Sequence, residues 1–282
     1  MLVAAMAFFA AVDAFVKILS TSQSAGQIIM VSSFLSFLVY WMLLRRENRV
    51  VWSRDALNPM LLLRSFGEAV GSTGIVFALG LAPLSTVIAL SQAQPLVVVM
   101  GAALFLGETV GWRRWAAVGI GMIGVLIILR PGMGAFDPNL LWVFVYIFGL
   151  AIRDLTSRRL PSHISTAFAV AWSLLPLVVV GGIIMMLQGG WQPIDVGAAL
   201  YYIILVGAVS AALWAMTTAM RVGEVSVVAP FRYTRIVFAL IIAYFIFDEV
   251  PDLLTWIGVG LIVGSGVYTF LRERRLAEGK GT

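Results

Sequence analysis

Apolar stretches of roughly 17 or more residues recur from one end of this chain to the other, and each is long enough to cross about 30 Å of hydrocarbon. Lipid offers no water to a free backbone group, so an open sheet edge is untenable and the stretches are expected to be helices. Ten are read, at about 2–20, 27–44, 58–80, 84–106, 114–130, 140–157, 164–187, 197–220, 225–247 and 253–271. The short connections, rich in Gly, Pro, Asn, Gln and charge, supply the stops. The fold class is thus an all-α polytopic membrane protein.

Only 12% of the 282 residues are charged, about half the fraction of a soluble domain, so the whole chain is membrane domain. That leaves no room for a soluble catalytic or nucleic-acid-binding module. The first stretch begins at Met1 without a basic leader or clear cleavage site and reads as a mature span.

Alternate loops carry Arg45, Arg46, Arg49 and Arg54, then Arg113 and Arg114, Arg158 and Arg159, Arg221, and finally Arg272, Arg274, Arg275 and Lys280. The opposite set offers only Arg130. This asymmetry puts the basic loops and both termini in the cytoplasm of a bacterial cell with the chain in its inner membrane. It also explains the net charge of +5 without an anionic partner.

An offset of 141 residues relates Glu108 in LFLGETVGWRRW to Glu249 in IFDEVPDLLTW, Val87 to Val228, Trp115 to Trp256 and Gly119 to Gly260. Two five-helix repeats follow, residues 1–130 and 140–271, with a cytoplasmic tail at 272–282. Five is odd, so the halves would enter the membrane from opposite sides, as in the inverted repeats of secondary transporters.

Charges left at membrane depth are the candidate site. Asp13 and Lys17 lie four apart on one face, as a structural clamp or an outer gate; Arg64 and Glu68 repeat that spacing, as an ion pair or as substrate and proton handling. Arg232 and Arg235 share a face of the ninth helix, either to receive an anionic or dipolar solute or to pair with Glu68 or Asp13. Gln92 and Gln94 precede Pro95, which removes a backbone hydrogen bond, and broken spans often form transporter sites. Arg153 and Asp154 could be interior, yet they approach the cytoplasmic end beside Arg158 and Arg159 and read rather as a snorkelling interface pair. Of the aromatics Tyr146, Trp172, Trp214, Tyr233 and Tyr244, Trp214 and Tyr233 are the ones expected to stack on a ligand.

The run GIGMIG fits a dinucleotide fingerprint but lies inside an apolar span; close helix packing explains it and GVGLIVGSG better, against each other or in a homodimer. There is no cysteine and one histidine, His163, so no metal cluster, catalytic triad or cofactor is expected, and no phosphate-binding loop suggests an ATP-driven pump. The expected partners are a small-molecule solute and membrane lipid, with no nucleic acid. A membrane enzyme on lipid-linked substrates and a non-transporting sensor are the rival classes.

The segments LSQAQPLVVVMGAALFLGETVGWRRWAAVGIGMIGVLIILRPG and VVAPFRYTRIVFALIIAYFIFDEVPDLLTWIGVGLIVGSGVYTFLRERR make the chain resemble the EamA family of the drug/metabolite transporter superfamily. The resemblance implies ten helices, an inverted repeat and a cavity lined mainly by the third, fourth, eighth and ninth. It implies packing or dimer contacts for the fifth and tenth, and structural roles for Glu108 and Glu249. Arg64 and the segment Ala229 to Thr234 resemble an uptake-type branch, which points to secondary or facilitative uptake of an aromatic vitamin such as riboflavin. Export of amino acids or related metabolites is the alternative. S-adenosylmethionine fits less well, since two arginines would repel its sulfonium unless a carboxylate stood nearby.

Overall fold

A computed structural model of the chain describes residues 2–47, 51, 53–105, 111–130, 137–222 and 232–278. The helices are α1 (Leu2–Leu19), α2 (Ala25–Arg46), α3 (Pro59–Leu81), α4 (Leu84–Ser91), α5 (Gln94–Phe105), α6 (Trp112–Leu129) and α7 (Leu141–Ser157). There follow α8 (Thr166–Leu187), α9 (Val196–Val222), α10 (Thr234–Phe247) and α11 (Leu253–Glu278). Among the described residues six spans are long and apolar enough to cross a membrane, and Trp115–Leu129, Thr234–Phe247 and Leu253–Thr269 are shorter apolar helices. Glu108, Ala229, Pro230 and Phe231 lie outside the described residues.

Local signals set the helix starts. Ser24 accepts from the Gln27 amide at 3.3 Å, and Asn58 accepts from Met60 at 2.9 Å with Pro59 at the first helical position. α4 and α5 together make one 22-residue apolar span, broken where Pro95 supplies no amide hydrogen. The Gln92 amide and the Ser91 hydroxyl both donate to the Ile88 carbonyl beside the break, at 3.2 and 2.7 Å.

Helix pairing carries an internal symmetry. α3 packs on α7 and α1 on α9; α2 packs on α8 and α6 on α11. With α4 and α5 taken as one span, a shift by five spans turns the first pairing into the second and returns the other two to themselves. It also turns α1 on α10 into α7 on α5, which likewise touch. The chain therefore contains an internal repeat in its packing.

Glycine makes these approaches. A Cβ on Gly67 would come within 2.7 Å of the Arg153 amide and the Gly149 carbonyl, and one on Gly74 within 2.5 Å of the Tyr146 amide. Gly124 and Gly258 bring α6 and α11 together in the same manner, so the two Gly-rich helices meet each other within the chain. Gly119, Gly260 and Gly264 face open space and make none of this contact. Large apolar side chains such as Phe34, Phe66, Phe148 and Phe245 are exposed around the outside, the surface that lipid solvates.

A methyl group at Gly149 would press on the Gly71 and Gly67 backbones, and such overpacking costs about 1–3 kcal/mol. Gly149→Ala should lower the melting temperature of the detergent-solubilised protein by several degrees while Gly260→Ala leaves it unchanged; equal effects would sink this account of the α3 and α7 contact.

Candidate functional site

A central cavity with an empty volume, mouth included, of about 1210 Å³ is walled by both halves of the chain. The third, fourth, eighth and ninth spans contribute, as the resemblance implies, and so do α1, α2, α7 and α8. Glu68, Gln92, Gln94, Arg232, Arg235 and Asp13 all reach it. Arg64, Trp214, Tyr233 and Lys17 do not line it.

Asp13 and Arg235 form a multiply bonded ion pair on the cavity wall. Arg235 Nε and Nη2 donate to the Asp13 carboxylate at 2.6–2.9 Å, and Nη1 donates to the Tyr146 hydroxyl at 2.8 Å. Two parallel N–H···O bonds make this a fork, the strong form of the guanidinium–carboxylate pair. Asp13 is therefore tied across the helix boundary and makes no pair with Lys17. Lys17, one turn nearer the helix end, reaches Glu249 at 3.2 Å and the Ala82 carbonyl at 2.8 Å.

Arg64 and Glu68 also part company. The Arg64 guanidinium is buried and donates to Ser157 Oγ and the Ala169 carbonyl, each at 3.0 Å, and to Ser173 Oγ. Glu68 faces the other way and meets Arg153 at 3.4 Å and Ser72 at 3.5 Å. Its partners are the most distant of any carboxylate on the cavity wall.

Arg153 and Asp154 lie inside, in place of the interface position expected for them. Arg153 donates to Asp154 Oδ1 at 2.8 and 2.9 Å, and Arg232 donates to Asp154 Oδ2 at 3.0 Å. Gln94 completes a ring, donating to Asp154 Oδ2 at 2.7 Å and accepting from Arg232. Burial at 13% and 16% side-chain exposure explains the difference, because interhelical partners replace the headgroups these charges would otherwise seek.

The aromatic expectations move as well. Trp214 is 44% exposed on the outer surface, and the Tyr233 ring is buried against Gly266. Tyr244 is exposed, and Trp172 donates to the Val51 carbonyl at 2.8 Å. Tyr146 alone of the five lines the cavity, beside Phe9. Sequence reasoning named Tyr146 among five candidate aromatics without singling it out, and it missed the α2 serines Ser32, Ser33 and Ser36. It favoured the interface for Arg153 and Asp154, although the 141-residue offset that relates the halves also connects Asp13 to Asp154. His163 faces Asp55 at the surface, and among the described residues no group of three His, Asp or Glu could hold a metal ion.

Glu249, outside the spans between α10 and α11, closes one end of the bundle. It accepts from the Leu84 and Ser85 amides at 3.0 and 2.8 Å and from Ser85 Oγ at 2.9 Å, capping α4 from a distant part of the chain. Its structural role, expected from the sequence, is this cap. Burial works to raise its carboxyl, yet the Ser85 and Leu84 donors and the Lys17 charge hold it below the ordinary value.

A central, largely apolar cavity with a few convergent charged and amide groups, set among apolar helices, is the anatomy of a small-molecule binding site. The EamA-like transporter family model matches residues 1–130 and 138–271, and the chain belongs to that family. An S-adenosylmethionine uptake transporter of Rickettsia bellii is 27% identical over 86% of this chain and 80% of its own. A riboflavin transporter of Vibrio cholerae is 31% identical over 72% and 68%, and the pseudopaline exporter CntI of Pseudomonas aeruginosa is 28% identical over 90% and 89%. One solved structure shares the fold at a TM-score of 0.60 and 18% identity, across 97% of this chain and 98% of that one. Family membership supports secondary transport of a small metabolite and a non-enzymatic role, and the bacterial relatives fit a multi-pass inner-membrane protein.

Removing one member of the Asp13–Arg235 fork strands a buried charge, at a cost of about 3–5 kcal/mol. Arg235→Gln should lower the melting temperature strongly, and adding Asp13→Asn should restore much of it; a double variant no more stable than the single one would refute the pairing. Glu249 is held below its ordinary value of 4.5, so its stabilisation is complete above that pH and lost as pH falls through the lowered folded value. The melting temperature of the wild type should approach that of Glu249→Gln below about pH 4.5; a constant gap between them down to pH 3 would remove Glu249 from this role.

Proposed function

We propose that this chain carries a small zwitterionic metabolite with an amino-acid head, of the S-adenosylmethionine kind, across the inner membrane by uptake. The carrying observation is that the cavity wall presents guanidinium and carboxylate groups side by side. Arg153, Arg232 and Arg235 stand beside Glu68 and Asp13, with Asp154 behind them. An α-amino carboxylate needs both signs within a few ångströms, and this wall has them. The repulsion of a sulfonium by two arginines loses its force, because Asp13 neutralises Arg235 and Asp154 holds Arg232.

Ten spans as two inverted five-helix halves, 1–130 and 140–271, with both termini cytoplasmic, supply alternating access in this reading. The repeated helix pairing and the loop charges support it. With no phosphate-binding loop in the sequence, the driving force is a gradient, and the protein is a secondary or facilitative carrier.

Riboflavin is the second reading. Gln92, Gln94 and the α2 serines offer hydrogen bonds to a polyol, and relatives named as riboflavin transporters are 30% and 31% identical. Its uncharged form makes no use of three arginines, which places it behind a zwitterion. Amino-acid export shares the proposed head group and differs only in direction.

Uptake of radiolabelled S-adenosylmethionine, riboflavin and methionine should be compared in bacteria expressing the chain and lacking their own carriers. Saturable S-adenosylmethionine uptake that Arg232→Gln reduces at least about tenfold at equal protein level is the expected result. Riboflavin uptake alone would install the second reading, and loss of preloaded methionine would install export.

A further inference from the structure

The 141-residue offset between the halves also relates Gln94 to Arg235, as it relates Asp13 to Asp154. The structure uses both pairs alike. α1 meets α10 through Asp13 and Arg235, and α7 meets α5 through Asp154 and Gln94. One contact is built twice, with a guanidinium in one copy and a neutral amide in the other.

The substitution changes the electrostatics of its half of the cavity. Arg235 closes Asp13 with two parallel bonds and cancels its charge. Gln94 donates a single bond to Asp154 at 2.7 Å and brings no charge, so Asp154 is free to hold two guanidiniums, those of Arg153 and Arg232. The amide oxygen of Gln94 accepts from Arg232 and orients it without neutralising it. Among the described residues Glu68 reaches Arg153 at 3.4 Å and Ser72 at 3.5 Å, and the buried Arg64 guanidinium nearby donates to neutral oxygens. Arg153, Arg232 and Arg235 thus stand against Asp13, Glu68 and Asp154, and Arg64, buried outside the cavity lining, adds a further positive charge among these described residues. Because Asp154 is shared between two guanidiniums, Arg232 is only partly neutralised, and in a low-dielectric wall it attracts an anionic group strongly.

We propose that Gln94 is the specificity-determining residue of the cavity: as the neutral counterpart of Arg235, it leaves Arg232 to receive the solute's carboxylate. The proposal rests on the amino-acid reading above and specifies which end of that solute binds where. The solute carboxylate meets Arg232, and its ammonium meets Glu68, whose existing partners are distant. The Asp13–Arg235 pair is closed and does not choose between charges. An arginine at position 94 would take Asp154 as Arg235 takes Asp13 and would cut Arg232 loose; a glutamate there would neutralise Arg232.

Three head-group probes test it by titration against the purified protein in nanodiscs: L-methionine as zwitterion, L-methioninamide as cation and N-acetyl-L-methionine as anion. The wild type should bind the two carboxylate-bearing probes more tightly than the amide. Gln94→Glu should shift the ratio of N-acetyl-methionine to methioninamide affinity at least about tenfold toward the amide, and Gln94→Arg should shift it the other way. Arg232→Gln, which keeps the Gln94–Asp154 bond, should also erase the preference for a carboxylate. Ratios that do not move with the charge at position 94, a wild type that prefers the amide, or no binding of any probe would overturn the proposal. An intact ranking without S-adenosylmethionine uptake would reject the named substrate and keep the role of Gln94; uptake with an unmoved ratio would do the reverse.

Discussion

A charge placed at membrane depth has to find an opposite charge or a set of hydrogen bonds, because neither lipid nor a dry helix interface will hydrate it. That requirement organises this protein. Asp13 and Arg235 tie α1 to α10; Arg153, Asp154, Arg232 and Gln94 tie α7 to α5 and to the turn that leads into α10; Arg64 ties α3 to α7 and α8. Apolar packing between helices discriminates little in a solvent as apolar as leucine, whereas a stranded guanidinium is intolerable. The polar centre therefore fixes which helices stand beside one another, and the glycine contacts of α3 with α7 and α6 with α11 set how closely they approach.

The same reasoning separates what the sequence disclosed from what it withheld. Apolar length and turn residues placed most helix ends within a few positions, although α11 runs on to Glu278 and the expected start of the ninth span lies outside the described residues. Pro95 marked the broken span, since each is a property of a local segment. Partner choice is a different matter. Spacing of four residues puts Asp13 beside Lys17 and Arg64 beside Glu68 on one face, yet such a pair contributes about 0.2–0.5 kcal/mol on a helix surface. A two-bond fork across a buried interface outweighs it, and only the tertiary arrangement reveals that Arg235 stands opposite Asp13. Arg153 and Asp154 were drawn toward the headgroups by their proximity to Arg158 and Arg159, a fair inference that the interhelical ring with Gln94 and Arg232 overrides. Trp214 and Tyr233 show the limit for aromatics: with 12% aromatic residues, centrality in the sequence does not choose the face a ring presents.

The broken span joins the site to one end of the bundle. α4 has eight residues, about 12 Å at 1.5 Å per residue, and cannot cross the hydrocarbon alone. Its first amides are held by Glu249, which Lys17 in turn holds, and at its far end Ser91 and Gln92 stand on the cavity wall. A short helix pinned at the bundle end and interrupted at the cavity is a rigid connector between those two places. The cap and the cavity are consequently joined through α4, although Glu249 and the Ser85 amide that it accepts from lie 164 positions apart in the chain.

Relatives named for S-adenosylmethionine, riboflavin and pseudopaline all cover most of this chain at 27–31% identity. A fold that accommodates such different solutes does not itself select among them; selection falls to the few wall positions whose charge can change without disturbing the glycine-packed frame. Position 94 has that character. It lies at the helix break, where the backbone already departs from regularity, and its partners Asp154 and Arg232 are side chains from other helices. A change of one charge there alters the solute's surroundings by an amount that low dielectric magnifies, while the α3–α7 and α6–α11 contacts that hold the bundle together lie elsewhere.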